Sequence, residues 1–217
     1  MPETPFYDGV AERATTAADV LERQNAFRYT LFSPVAAGAQ ETWASFCGRF
    51  VMSPANVERS KAETSQAWRQ TLWGRFKTKH LRRPYITALV VDLGRFNDKE
   101  RRARLRNDAL PVPFLAYAHF EQEIRVVVPF AEPLPRSIFT IGKRRTLCLW
   151  IKRTFGAQWA VERTNTICVW TLPPWRYDRM DSAAFAGYTC AFQTKGTFAS
   201  LETLLTLAAQ KQTREAQ

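Results

Sequence analysis

The spacing of apolar positions changes near residue 80, from a helical period to the pattern of buried strands. In the first third of the chain, apolar side chains recur every three or four residues, as in an amphipathic helix. Three helices are therefore predicted, over residues 15–33, 40–52 and 57–79. The apolar stripes of the second and third helices carry large side chains: Trp43, Phe46, Phe50, Trp68, Leu72 and Phe76.

Beyond residue 80, the apolar residues form short continuous runs. Residues 86–91 are a β-branched apolar run, which predicts a buried strand. Further strands are predicted over residues 114–120, 123–130, 164–171 and 189–192. Helices are predicted over residues 97–110, from residue 137 or 140 to residue 154, and over residues 201–211, with a loop at residues 131–135. The pattern predicts an α+β protein with a helical N-terminal region, residues 1–79, and an α+β domain, residues 80–217.

The charge balance points to a polyanionic partner. The 217 residues include 31 Lys and Arg against 20 Asp and Glu, a formal net charge of +11. Cations placed near phosphates release condensed counterions, so a surplus of this size favours nucleic acid as the partner. DNA is favoured and RNA stays open. A basic surface that only aids solubility is the main alternative, and an anionic membrane surface is not part of the prediction.

Cysteine usage and apolar run lengths indicate a soluble, cytoplasmic protein. The four cysteines, Cys47, Cys148, Cys168 and Cys190, form no C-x-x-C pair, and only two histidines are present. A structural zinc is therefore not predicted, and the thiols are expected to be free and reduced. The N-terminus is polar, and no apolar run approaches the roughly 20 residues that span a bilayer.

Positive charge is concentrated in three segments. The first cluster contains Arg75, Lys77, Lys79, Arg82 and Arg83. The second, residues 95–106, is diluted by acids, so a solvated face is an equal alternative there. The third contains Lys143, Arg144, Arg145, Lys152 and Arg153, within residues 133–161, which include no acidic residue. This third cluster is the best candidate for binding phosphates, and Gly142 beside it is expected to allow close approach of the backbone.

Aromatic residues next to arginines suggest a second kind of contact. Trp175 and Tyr177 flank Arg176 directly after two prolines. Exposed aromatic rings in such a setting stack on the bases of a single strand. The alternative is that the proline-flanked tryptophan only covers the core.

The candidate catalytic residue is Asp92, a carboxylate at the end of the apolar run. Phosphoryl transfer with two metal ions needs several converging acids, commonly Asp-x-Asp on one strand. Gly94 occupies the position of the second acid, and Glu121 and Glu123 are weak candidates for replacing it. Phosphate-binding loops and hydrolase motifs are not found in the sequence.

The order of short motifs over residues 80–205 resembles the primase-polymerase-like domain of plasmid replicases, which are related to archaeo-eukaryotic primases. The matching segments are Arg83-Pro84-Tyr85-Ile86, Val91-Asp92-Leu93-Gly94, Leu110-Pro111-Val112-Pro113, residues 123–134, Gly156-Ala157-Gln158, residues 165–170 and residues 197–201. The resemblance implies an antiparallel or mixed sheet of the RNA-recognition-motif type, packed against helices.

The resemblance also implies that the catalytic site is degenerate. Asp92 matches the first metal ligand, but Gly94 stands at the second. Glu123 and Arg125 stand at the histidine positions, and Gln158 at the third aspartate. Arg125 would therefore place a fixed positive charge where the family binds metal or nucleotide phosphate.

Three hypotheses follow. The first is a non-catalytic nucleic-acid-binding protein, without cofactor, that acts in plasmid or mobile-element replication or in a nucleoprotein complex. The second is an active primase, polymerase or nuclease that uses Mg²⁺ or Mn²⁺ with relocated ligands, such as Asp92 with Glu121 or Glu123. The third is a basic subunit that docks on a protein partner through residues 40–76.

Overall fold

The computed structural model describes residues 26–32, 36–51, 67–69, 71–73, 84–118, 123–163, 170–171 and 190–215. The strands in this part of the chain are β1 (Ala26–Phe32), β2 (Ala36–Thr42), β3 (Ala67–Arg69), β4 (Thr71–Trp73), β5 (Pro84–Arg95), β6 (Phe114–Ala118), β7 (Glu123–Pro135), β8 (Val161–Glu162), β9 (Trp170–Thr171) and β10 (Cys190–Gln193). The helices are α1 (Trp43–Gly48), α2 (Asp98–Arg104), α3 (Ile141–Thr154) and α4 (Leu201–Glu215).

The α+β class is confirmed, but the helical N-terminal third is wrong. In the described residues, β1 replaces the first predicted helix, and β3 and β4 replace the third. The end of β2 and the short α1 lie where the second was predicted. Spacings of i and i+4, as at Phe27 and Leu31 in β1, fit one helix face and equally one strand face, because four residues are two strand alternations. These segments form strands because β3 pairs with β1 and β4 pairs with β5.

The second half follows its pattern more closely. Strand β5 includes the predicted run, and β6, β10, α3 and α4 lie where they were expected. The helix predicted over residues 97–110 is only α2, and the predicted loop at residues 131–135 is the end of β7. Pairing of Leu134 with Ile86 and of Pro135 with Tyr85 keeps that segment extended.

The larger sheet has the strand order β10-β6-β7-β5-β4. Strand β4 pairs with the start of β5, and β8 pairs with β5 further along, at Val91 and Asp92. All these strand pairs are antiparallel. From β5 to β8 the elements follow one another as β-α-β-β-α-β, and their strands lie in the order β8-β5-β7-β6. A smaller sheet has the order β2-β1-β3-β9.

Side chains alternate between the two faces of the larger sheet, and each face is buried in its own core. On one face, Leu89, Val91 and Val126 pack in a core with residues of α3 and α4. On the other face, a second core joins the sheet to the N-terminal elements β1 and α1; its buried members include Val90, Leu115, Tyr117, Val127, Phe27, Trp43, Phe46 and Phe50.

Aromatic contacts hold the N-terminal elements against this second face. The Phe50 and Tyr117 rings lie 4.5 Å apart, and the Phe27 and Phe46 rings 4.6 Å apart. The Trp43 indole donates a hydrogen bond of 3.0 Å to the Gln193 carbonyl in β10. The inward orientation predicted for Trp43, Phe46 and Phe50 is therefore confirmed, and these rings close one face of the sheet.

Candidate nucleic-acid interface

Asp92, the candidate catalytic residue, lies on the sheet face that the N-terminal elements cover. It is 5% exposed, and both of its carboxylate oxygens accept from guanidinium groups. The Nε of Arg125 is 2.8 Å from Oδ1, and the Nε of Arg163 is 2.9 Å from Oδ2. Strand register sets this geometry, because Asp92 pairs with Arg125 on β7 and with Val161 on β8, two residues before Arg163.

Tyr117 extends this row of polar residues across β6, where it pairs with Arg125. Its hydroxyl is buried beside the Arg125 guanidinium and has no hydrogen-bond partner of good geometry. Burial raises the pKa of Tyr117 to about 12, and the nearby Arg125 charge opposes part of that shift. Burial lowers the pKa of Arg125, but Tyr117 and Asp92 more than offset this, so Arg125 stays a cation.

We call these four residues, Asp92, Arg125, Arg163 and Tyr117, the Asp92 network. Glu123 lies 3.9 Å from Arg125, so a guanidinium lies next to Asp92 and Glu123, two of the three acids proposed as metal ligands. In the part of the chain that the structure describes, no three His, Cys, Asp or Glu side chains form a metal-ligand group. Both carboxylate oxygens of Asp92 are therefore bonded to guanidinium groups, and removal of one partner would leave a buried charge uncompensated.

Gly94, which replaces the second acid of the resembled motif, has a conformational role. From Asp92 to Arg95, β5 advances three residues while its partner β7 advances two, from Arg125 to Glu123. Gly94 lies in this bulge with φ +79°, a conformation that side chains other than glycine rarely adopt. A Cβ at Gly94 would also lie 3.4 Å from Cε3 of Trp159.

The outer face of α3 has the opposite environment. Leu147, Trp150 and Ile151 bury one side of this helix against the sheet. The other side presents Arg145 and Arg153 as exposed residues, with Lys152 beside them and Lys143 in the first turn. Among the described residues, no carboxylate forms an ion pair with Lys143, Arg145 or Lys152.

Two members of the third basic segment differ from this description. Arg144 turns toward β8, where its Nη1 lies 3.5 Å from Glu162. Gly142, expected in a phosphate-binding loop, lies in the first turn of α3 with open space around it. The cationic surface therefore comprises Arg145, Lys152 and Arg153 on the outer side of α3, together with Lys143 in the first turn. We call these four residues the α3 face.

Trp159 was missed by sequence reasoning. It is 55% exposed, in contrast to the buried Trp43 and Trp150. It lies between α3 and β8, inside the acid-free residues 133–161, and that position was the available signal.

Other predicted site residues lie outside the described part of the chain: Lys77, Lys79, Arg82, Arg83, Glu121, Trp175, Arg176 and Tyr177. Of the residues 40–76 expected to dock on a protein, Trp43, Phe46 and Phe50 are core residues.

Comparison of the chain with models of known protein families, with curated proteins and with solved structures gave no match.

Among the described helices, none combines the length and the hydropathy needed to cross a membrane.

Proposed function

We propose that this protein binds nucleic acid through the α3 face and does not catalyse phosphoryl transfer. DNA is the favoured polymer, and the setting is plasmid or mobile-element replication or a nucleoprotein complex. The observation that carries the proposal is the α3 face itself, on which Lys143, Arg145 and Lys152 have no carboxylate partner among the described residues. Cations of this kind are free to exchange counterions for phosphates, which supplies most sequence-independent affinity.

The strand order supports the resemblance to primase-like domains. The succession β-α-β-β-α-β, with β8-β5-β7-β6 as neighbours, is the split arrangement of ferredoxin-like and RNA-recognition-motif sheets. Such sheets usually bind RNA on the face away from their helices. Here the N-terminal aromatic residues cover that face, which moves the proposed interface to the helical side.

The Asp92 network supports the non-catalytic part of the proposal. Two guanidinium groups occupy both carboxylate oxygens at the position where the resembled family binds its first metal. An aspartate at position 94, where the resembled family has its second acid, would also strain the backbone, because Gly94 has positive φ. No described contact favours the alternative of relocated acidic ligands.

The test reverses charge on the α3 face. A double variant, Arg145→Glu with Lys152→Glu, is compared with a control of equal charge change, Arg106→Glu with Lys195→Glu. Both control residues are exposed and lie near β10. Arg106 precedes Asn107, whose side chain accepts a hydrogen bond from the Phe192 backbone, and Lys195 follows the end of β10. Binding to single-stranded DNA, duplex DNA and RNA is measured by fluorescence anisotropy at two salt concentrations.

We expect the α3 double variant to lose about 100-fold in affinity at low salt and to show a shallower salt dependence than the control. Equal losses in the two double variants would show that only net charge matters and would remove the α3 face as the interface. Nucleotide incorporation with Mg²⁺ or Mn²⁺ that is lost in Asp92→Ala would contradict the non-catalytic part.

A further inference from the structure

Trp159 is a half-exposed aromatic residue on a fixed support. Its indole lies against the Gly94 bulge, close enough that a Cβ there would be 3.4 Å from Cε3. The chain is held on both sides, because Ala157 donates to the Lys152 carbonyl at 2.9 Å and β8 pairs with β5 two residues after Trp159. One part of the ring is packed and the rest faces solvent.

Its neighbours along the chain are cationic. The hydrogen bond from Ala157 places residue 157 against the last turn of α3, next to Lys152 and Arg153. Trp159 follows two residues later, at most about 7 Å further along an extended chain. On the other side, past β8, the Arg163 side chain is 44% exposed. Along the chain, Trp159 therefore follows the α3 face and precedes a second arginine, Arg163.

From this arrangement we propose that Trp159 stacks on an unpaired base of a single strand whose phosphates contact the α3 face. An aromatic ring next to a basic surface is the arrangement by which single strands are bound with little sequence preference. The bases of a duplex are already stacked and cannot reach the ring. This inference rests on the proposed function, and it adds the strand state and the contact that recognises bases.

The experiment compares wild type, Trp159→Ala and Trp159→Phe on three probes at one salt concentration. The probes are a short oligothymidylate, an abasic deoxyribose-phosphate oligomer of the same length, and a duplex. We expect Trp159→Ala to weaken oligothymidylate binding by about 5- to 100-fold and to leave the other two affinities unchanged. Trp159→Phe keeps a ring against Gly94, and we expect a smaller loss.

A second measurement guards against an effect of Trp159→Ala on folding. Stacking quenches indole fluorescence, so wild type should show a quench with oligothymidylate that the abasic oligomer does not cause. Trp159→Phe should lack that component while keeping the wild-type melting temperature. A quench of equal size in wild type and Trp159→Phe would contradict the inference.

The outcomes separate the two proposals. If wild type binds oligothymidylate and abasic oligomer equally and Trp159→Ala changes neither, the stacking inference fails and the α3 interface stands. If Trp159→Ala weakens all three probes alike, Trp159 supports the fold only, and the inference again fails. If wild type binds none of the probes, the proposed function itself fails. Binding of a protein in place of nucleic acid would then account for the exposed ring.

Discussion

Two groups of cations in this protein have contrasting surroundings. Arg125 and Arg163 lie around Asp92 at the covered face of the larger sheet, and the Arg125 side chain is only 12% exposed. Lys143, Arg145 and Lys152 lie on α3 without a carboxylate partner among the described residues. Each of these cations adds one positive charge to the chain. Asp92 offsets part of the charge in the first group, whereas no carboxylate of the described residues pairs with the second.

The difference shows that burial determines whether a cation pairs within the protein or stays available to an external anion. Removing a guanidinium from water carries a large desolvation penalty, and a paired carboxylate with good geometry offsets it. A cation that remains hydrated carries no such penalty, and it releases counterions when phosphate approaches. The first group therefore contributes to the fold, and the second is the group for which we propose a role in binding.

The largest expected effect is on the aromatic layer that covers the Asp92 face. Phe46 is fully buried and contacts Phe27, Tyr29, Trp43 and Phe50. Phe46→Ala should lower the free energy of unfolding by about 4 kcal/mol, because it leaves a cavity in a packed core. Urea denaturation measures this change. Ile141→Ala, at a residue that is 75% exposed, is the control and should change stability by less than about 0.5 kcal/mol.

Breaking the buried ion pairs should have the next largest effect. Asp92→Ala leaves Arg125 without its carboxylate and should lower stability by about 3 kcal/mol. Asp108→Ala breaks the exposed pair with Arg106 and should change stability much less, because water screens such a pair. Replacing Asp92 and Arg125 together by leucine and methionine should recover much of the loss. Equal effects of Asp92→Ala and Asp108→Ala would show that the Asp92 network is not buried in solution.

Tyr117→Phe should change the alkaline stability. The folded pKa of about 12 lies above the ordinary value of 10.0, so the neutral phenol stabilises the fold below pH 10. That contribution is lost as pH rises from 10 to 12, at most about 2 kcal/mol. Tyr117→Phe should lose less stability over this range, and urea midpoints at pH 8, 10 and 11 measure it. At pH 8 the two proteins should be similar, because the hydroxyl forms no hydrogen bond of good geometry that the variant would lose.

The smallest effect on stability is expected on the α3 face. Arg145→Ala with Lys152→Ala should change the free energy of unfolding by less than about 0.5 kcal/mol, since neither residue has an ion-pair partner in the described part of the chain. The same variant should lower the slope of log affinity against log salt by about one unit per cation. Marked destabilisation would show that these cations support the fold.

The sequence predicted some elements because the signal was local. The apolar run of β5 and the amphipathic pattern of α3, with its Thr140 N-cap, follow from residues close together in the chain. The N-terminal strands were mistaken for helices because an i, i+4 spacing satisfies both periods. Only the long-range pairings of β1 and β5 distinguish the two.

The candidate site divides in the same way. The basic character of residues 133–161 and the isolation of Asp92 from a second acid were evident in the sequence. The partners of Asp92 were not, since Arg125 and Arg163 lie 33 and 71 residues away and strand register brings them together. The contact of Trp159 with Gly94 was not evident either, since Gly94 lies 65 residues earlier in the chain, in a bulge opposite β7.

The amino-acid sequence by itself determined the net charge, the concentration of cations near α3, and the presence of glycine at position 94, where the backbone has positive φ. The tertiary structure alone decided which cations are enclosed and which face solvent. The physical reason is that charge is a property of single residues. Desolvation depends on every group within a few ångströms, and in a sheet those groups come from strands far apart in the chain.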